Sequence, residues 1–511
     1  MLQTANLKSF VIKHRKVVVA SFAIALLIAS AVGYGVWFLR ETPAEPADEI
    51  VYESEPPAVV PEVIIDLPLI LGQQQFLEDL DYLLYTLENN FALFDVAYWA
   101  RETDIYAVIE DIRRSVIDAP DMTVDEFFLL FHRHFDRQNM GGSLRVISPA
   151  RYHNPAVTSS MLGSARYGRT NRRRFNYPHV QAFYWGRGRI DQRLEHYSEA
   201  ARNYWITYIS LHGLTDEAEE IRRLLDDGMY YEATLLVDAA FDYIDVNPLP
   251  LVYTEIIEPG RIGYLQINGR QPPLSERMRI QIFDFFEEIQ GYEHLIIDLR
   301  TIAGYGYATA TLINYIFRPI FADEIELEGF AFLRYGYYVS ENGEIHPRRW
   351  FNYTVPMLSR ERGMRPAEEI IAGYYIPELR LADMERMEYG FRTRVTLGES
   401  RWTQFDYGSA FDGNIWLLTS PIMASGAEFT ARVMKNQGIA TLVGERTGGQ
   451  SGGPMTFFPL PNTGILFEMY LFYMTDEFGR PFDAGTYPHH FNRDSYDALE
   501  TALMLIAEGA Y

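Results

Sequence analysis

Leu80, Leu83, Leu84 and Leu87 recur at i, i+3, i+4 and i+7, and Ile105, Val108, Ile109 and Ile112 repeat that spacing. Residues so spaced share one face of a helix, so both stretches predict amphipathic helices. Thr123-x-x-Glu126 forms a capping box ahead of Phe127 to Phe131, and together these signals predict three packed helices reaching about Asn139. From Ile262 the pattern changes to short apolar runs alternating with helical ones. It predicts a strand over Ile262–Ile267, a helix over Ser275–Ile289, a strand over Leu295–Leu299 and a helix over Ala308–Phe317, the signature of an α/β sheet with crossovers. The Tyr-, Phe- and Gly-rich stretch Glu326 to Trp350 reads as β-hairpins inserted in that core, and Ser495 to Ile506 as a closing helix. Between Ser148 and Glu258 the pattern is poorest: Glu217 to Gly228 reads as a helix with a glycine stop. Tyr184, Trp185, Tyr204, Trp205, Tyr230 and Tyr231 there read as core residues, with a cap over a site as the alternative.

Val17 to Leu39 is an uncharged run of 23 residues behind Lys8, Lys13, Arg15 and Lys16. As a helix it would reach about 35 Å, enough to cross a bilayer. The basic flank predicts a cytoplasmic N-terminus and an extracytoplasmic body. A cleaved signal peptide is the alternative, since Ala29-Ser30-Ala31 has the form of a cleavage site; the apolar run continues past it through Trp37 and Phe38 and favours a retained single-pass anchor. Glu41 to Asp66 holds five prolines, eight acids and no lysine or arginine, which predicts an extended tether. The expected organisation is thus a basic stub (1–16), a transmembrane anchor (17–39), a tether (40–72), a helical domain (73–147), a cap or linker region (148–258) and an α/β core (259–511).

The formal charge of −24 over 511 residues argues against a nucleic-acid partner. Arg166, Arg169, Arg172, Arg173 and Arg174 form a local basic exception that reads as a solvated loop. With no cysteine and with eleven histidines that form no HExxH pattern, neither thiol catalysis nor a metal site is expected, and no cofactor motif is found.

The chemistry concentrates at Ala424-Ser425-Gly426-Ala427-Glu428, between the strand-like Ile415-Trp416-Leu417-Leu418 and a helical run to Lys435. A small-residue turn from strand to helix presents a serine hydroxyl beside free backbone N–H groups, where an oxyanion is stabilised. Downstream stand Ile439-Ala440-Thr441-Leu442-Val443-Gly444-Glu445-Arg446-Thr447-Gly448-Gly449 and Leu460-Pro461-Asn462-Thr463-Gly464. Upstream stand Gly260-Arg261-Ile262-Gly263-Tyr264-Leu265-Gln266-Ile267 and Leu295-Ile296-Ile297-Asp298-Leu299-Arg300 followed by Gly304. In that order the segments resemble the C-terminal processing (tail-specific) serine peptidases over about Pro259 to His490. The resemblance implies a crotonase-like spiral of βαβ units, a peptide or protein substrate, Ser425 as nucleophile, and Gly426 with Gly304 as oxyanion donors.

The departures from that family bear on the base. Its Ser–Lys branch places a lysine 25 positions after the serine, where this chain has Gln450, an amide that cannot take a proton. The Thr447-Gly448-Gly449 turn is more similar to the tricorn-like and retinoid-binding-protein-like branch, in which a late acid orients a histidine; Asp483 falls at the acid's place, and Ser143, in Met140-Gly141-Gly142-Ser143, at the histidine's. His489, His490, His132 and His134 remain as candidate bases. Arg300 and Asp298 read as a strand-end ion pair, and Glu428 as a carboxylate favouring the positive helix end. The function expected is a membrane-anchored extracytoplasmic serine-type peptidase. The alternatives are a degenerate pseudopeptidase that binds peptides or other ligands, and a plain helix-capping role for Ser425.

Overall fold

The computed structural model describes residues 71–135, 144–149, 152, 177–185, 206–227, 249–268, 276–302, 320, 325–334, 337–339, 345–347, 363–397, 411–450 and 455–510, with isolated positions between 229 and 244. All of these belong to the second of two units, Ile64–Tyr511. The predicted anchor, the tether up to residue 70 and the basic cluster at 166–174 lie outside the described residues. Among the described residues no helix is long and apolar enough to cross a membrane.

Four helices, not the expected three, open the described chain: α1 (Gln73–Asn90), α2 (Phe94–Arg101), α3 (Ile105–Asp118) and α4 (Val124–His134). The eight-residue α2 is too short to show a repeating apolar period; it buries Phe94, Val96 and Ala97 and stops at Glu102 in a left-handed conformation. α3 is capped by Asp104, which accepts from Tyr106 N and Ala107 N, and α4 by the Thr123–Glu126 capping box. The leucine stripe faces inward as expected: Leu80, Leu83 and Leu87 are fully buried, and Leu84 is partly buried against the same core.

After β1 (Arg145–Val146), α5 (Pro178–Trp185) and α6 (Thr215–Asp226) come β2 (Val252–Glu258), β3 (Ile262–Ile267), α7 (Glu276–Glu288) and β4 (His294–Asp298). Next in the chain are β5 (Ile325–Leu333), β6 (Tyr337–Val339), β7 (Ile345–Pro347), β8 (Arg365–Pro366), α8 (Ala367–Gly373), α9 (Leu381–Met384) and β9 (Tyr389–Leu397). The remainder is β10 (Asn414–Thr419), α10 (Gly426–Asn436), β11 (Ala440–Gly444), β12 (Met455–Pro459), β13 (Leu466–Tyr470), β14 (Phe472–Thr475), β15 (His490–Phe491) and α11 (Ala498–Glu508). The predicted helix over Ala308–Phe317 falls outside the described residues.

The main sheet has six strands in the order β15-β11-β10-β4-β3-β2, parallel from β15 to β3 with β2 antiparallel at the edge. Its central strands are near-continuous apolar runs because both faces are covered. Successive side chains alternate between faces. Leu295, Ile297, Leu417 and Leu442 join Ile282, Phe285 and Phe286 of α7 and Ala427, Ala431 and Met434 of α10. Ile296, Trp416, Leu418 and Val443 meet Ala498, Ala502, Leu505 and Ile506 of α11 on the other side. This is the mixed α/β organisation the alternating pattern implies.

A second body is built from the sheets β14-β5-β9-β8 and β1-β13-β12. Among the described residues of the stretch read as inserted hairpins, β6–β7 alone pairs as a local hairpin; β5 instead pairs along its length with β9 and at its end with β14, which lie far along the chain. The helical segment shares one apolar core with these sheets: Phe76, Phe127 and Phe131 pack with Phe332, Phe457, Phe467 and Tyr473. In the 148–258 region the regular structure among the described residues before β2 is all helical, and Ile209, Ile221, Leu224 and Val237 belong to a small core of their own.

Candidate active site

β10 ends at Thr419, and Ser425 occupies the N-cap position of α10 with φ 54° and ψ −115°. A positive φ on a non-glycine residue costs energy and persists only where surrounding contacts impose it. Here the imposing element is the 447–450 turn. Gly448 N donates to Met423 O at 2.7 Å, Ser425 N donates to Gly449 O at 3.1 Å, and Ala424 forms a parallel bridge with Gly449. The two glycines are required by this close approach: a Cβ on Gly448 would strike the Pro421 carbonyl, and Gly449 has φ +76° with Asp483 O 2.8 Å from where its Cβ would stand. Ser425 makes no side-chain capping bond to α10, so the helix-capping alternative is not realised. Ser425, a half-buried residue, stands at the helix N-terminus directly before Gly426, the first residue of α10.

Gln450, at the place of the expected lysine, also has positive φ (73°) and is buried. Its side-chain nitrogen donates to the Tyr470 hydroxyl at 3.3 Å. Asp483 is fully buried in a short 3₁₀ turn, Phe482–Ala484. The structure therefore gathers Ser425, Gly426, Gly448-Gly449-Gln450 and the Asp483 segment at one place. Gly304 and Ser143 lie outside the described residues, as do the side chains of His132 and His134.

His489 does not fit the role of base. Leu442 N donates to its Nδ1 at 2.9 Å, which commits that lone pair to the backbone and leaves the ring proton on Nε2, and partial desolvation lowers the pKa of this exposed residue. Neither nitrogen then has a lone pair for a serine proton. His490 sits on β15, paired with Val443.

Glu428 has a larger structural part than a carboxylate near a helix end. It is fully buried, and it accepts from Thr447 Oγ1, from Thr486 Oγ1 at 2.6 Å and from Arg432 Nη2 at 3.3 Å. Arg432 continues the network to Asp476 (3.2 Å) and to the carbonyl of Gly485 (3.0 Å). Thr447 N donates to Thr486 O at 3.0 Å. One carboxylate on the helix that Ser425 opens thus ties together the 447–450 turn and the segment carrying Asp483. Burial gives the reason: a carboxylate removed from water must be hydrogen-bonded, and these donors converge on it. Arg300 and Asp298 form the expected strand-end pair (2.8 Å), extended by Arg300 to Asp497 (2.8 Å) and by the Tyr264 hydroxyl to Asp298 (2.7 Å).

Sequence reasoning missed Arg101, at the end of α2. Its Nη2 donates to Gly448 O at 2.6 Å and to Asp483 O at 2.5 Å, and its Nε to Asp483 O at 3.1 Å. Burial, and then neighbouring Arg446, pushes its pKa down to about 10, which leaves it charged at neutral pH. No local pattern marks this residue, because its partners lie about 350 positions away. Among the described residues no cluster of side chains that could hold a metal is present.

A serine held at positive φ between a parallel strand and the helix that follows is the arrangement by which serine hydrolases present a nucleophile. Residues 331–490, which contain this turn and the Thr447–Gln450 and Asp483 segments beside it, match the model of Peptidase family S41. No curated relative matches the chain. Among solved structures it is similar to a candidate peptidase from Parabacteroides merdae, at 14% identity, covering 86% of this chain and 97% of that one with a TM-score of 0.43. It is also similar to the photosystem II D1 C-terminal processing protease, at 15% identity over 48% of each chain with a TM-score of 0.26. The tricorn protease matches at 16% identity over 49% of this chain and 18% of that one, with a TM-score of 0.23.

Proposed function

We propose that this protein is a serine peptidase of the tail-specific type that acts on peptides or unfolded chain ends, on a crotonase-like core held outside the cytoplasm by the Val17–Leu39 anchor. The observation that carries the reading is the backbone of Ser425: φ 54° and ψ −115°, with the hydroxyl not spent on capping α10. In this reading Ser425 Oγ attacks the scissile carbonyl and gives up its proton to a base. The developing oxyanion is received by Gly426 N–H, with Gly304 as the second donor the family resemblance implies. Asp483 is the acid that orients the base.

A second reading, a pseudopeptidase that binds peptide without cutting it, is favoured by two observations: Gln450 is engaged by Tyr470, and the His489 ring is used by the Leu442 amide. A fluorophosphonate probe separates the two. The peptidase labels at Ser425, and Ser425→Ala abolishes both labelling and peptide cleavage. Absence of labelling in the wild type, together with heat protection by a bound peptide, establishes the binder. Protease added outside intact cells tests the topology: the body is removed and an N-terminal membrane fragment stays, whereas recovery of the whole chain from the cytosol overturns the anchor.

A further inference from the structure

We propose that Arg101 is a positioning residue for the Ser425 turn, a role that rests on the reading of Ser425 as nucleophile only in its activity arm. Among the described residues the hydrogen bonds of its guanidinium go to backbone carbonyls alone, those of Gly448 and Asp483. One nitrogen, Nη2, reaches both oxygens, at 2.6 Å and 2.5 Å, which brings two carbonyl dipoles side by side. Two such oxygens repel unless a cation lies between them, and the planar guanidinium supplies the charge and the donors in a fixed fork. The bridged peptide is the one preceding Gly449, whose own carbonyl receives Ser425 N. Arg101 also fills the space that a Cβ on Gly449 would need. The arginine therefore fixes the 448–449 peptide plane, the next carbonyl fixes the serine amide, and the serine keeps its positive φ.

The same helix end is held by a second, reciprocal bond that serves as an internal control. Arg446 Nη1 donates to Ala100 O at 2.7 Å and to the Tyr487 hydroxyl at 3.2 Å. This bond docks α2 without touching the Gly448 or Asp483 carbonyls. If Arg101 merely docked the helix, loss of either arginine would have the same effect.

The test compares Arg101→Ala, Arg101→Lys and Arg446→Gln by amide hydrogen exchange at Ser425 and Gly448 and by the rate of fluorophosphonate labelling. Arg101→Ala is expected to speed exchange at both amides roughly tenfold or more and to slow labelling by about 10- to 100-fold, with guanidinium ion added at sub-denaturing concentration restoring part of both. Arg446→Gln is expected to leave both readouts close to wild type. Arg101→Lys keeps the charge without the fork and falls between; it also supplies the readout if the alanine variant does not fold. Wild-type exchange at Ser425 and Gly448 in the Arg101 variants, or equal effects in the Arg101 and Arg446 variants, overturns the proposal. If the wild type does not label, the peptidase reading fails, while the exchange comparison still decides the role of Arg101.

Discussion

Gln450 donates its side-chain N–H to the Tyr470 hydroxyl at 3.3 Å, one residue beyond the Gly449 carbonyl that holds Ser425 N at 3.1 Å. A residue at position 450 is therefore carried by the same turn that shapes the nucleophile. A lysine there would be buried, and desolvation would draw its pKa down from its ordinary value near 10.4 toward neutrality. Gln450→Lys is expected to raise the labelling rate of Ser425 by roughly tenfold or more, with a pH profile that rises as the amine loses its proton. An unchanged rate would show that the side chain at 450 does not reach the serine.

His489 is spent on the β11 backbone. His489→Ala is expected to leave Ser425 labelling unchanged while lowering stability by about 1 kcal/mol through the lost Leu442 N–H bond. Loss of labelling without loss of fold would reinstate this ring as the base.

Glu428 joins three segments from a fully buried position. Glu428→Gln keeps the shape, removes the charge facing Arg432 and turns one acceptor into a donor aimed at a threonine hydroxyl. A loss of about 2–4 kcal/mol in urea unfolding is expected, accompanied by slower labelling of Ser425. A stability within measurement error of wild type would mean that the network does not hold the turn.

Asp79 on α1 accepts from Asn462 N (2.8 Å), Thr463 N (2.9 Å) and Thr463 Oγ1 (2.6 Å), tying the helical segment to the β12–β13 connection. Burial pushes its pKa up to about 6 from 3.8. The folded protein therefore binds this proton more tightly than the unfolded chain does. The associated stability is present below the unfolded value near 3.8 and is lost as pH rises through about 6. Relative to Asp79→Asn, the wild type should lose about 2–3 kcal/mol of unfolding free energy between pH 4 and pH 7. Parallel pH curves for the two proteins would refute it.

What the sequence determined by itself was local. The apolar runs placed β3, β4 and β10, the capping box placed α4, and the small-residue turn singled out Ser425, because each depends on neighbours within a few positions. The tertiary structure alone decided how β5 finds β9 and β14 instead of closing hairpins, and how the helices come to share a core with the sheets, since strand partners are chosen by burial between distant segments. It also decided the parts of the site. Glu428 reads in sequence as a helix-end charge and becomes a buried clamp only when Thr447 and Thr486 converge on it, and Arg101 acquires its partners only when α2 docks against the Gly448 and Asp483 carbonyls. Hydrogen bonds between segments hundreds of residues apart leave no periodic trace along the chain, so the support of Ser425 was legible only once the fold had brought those segments together.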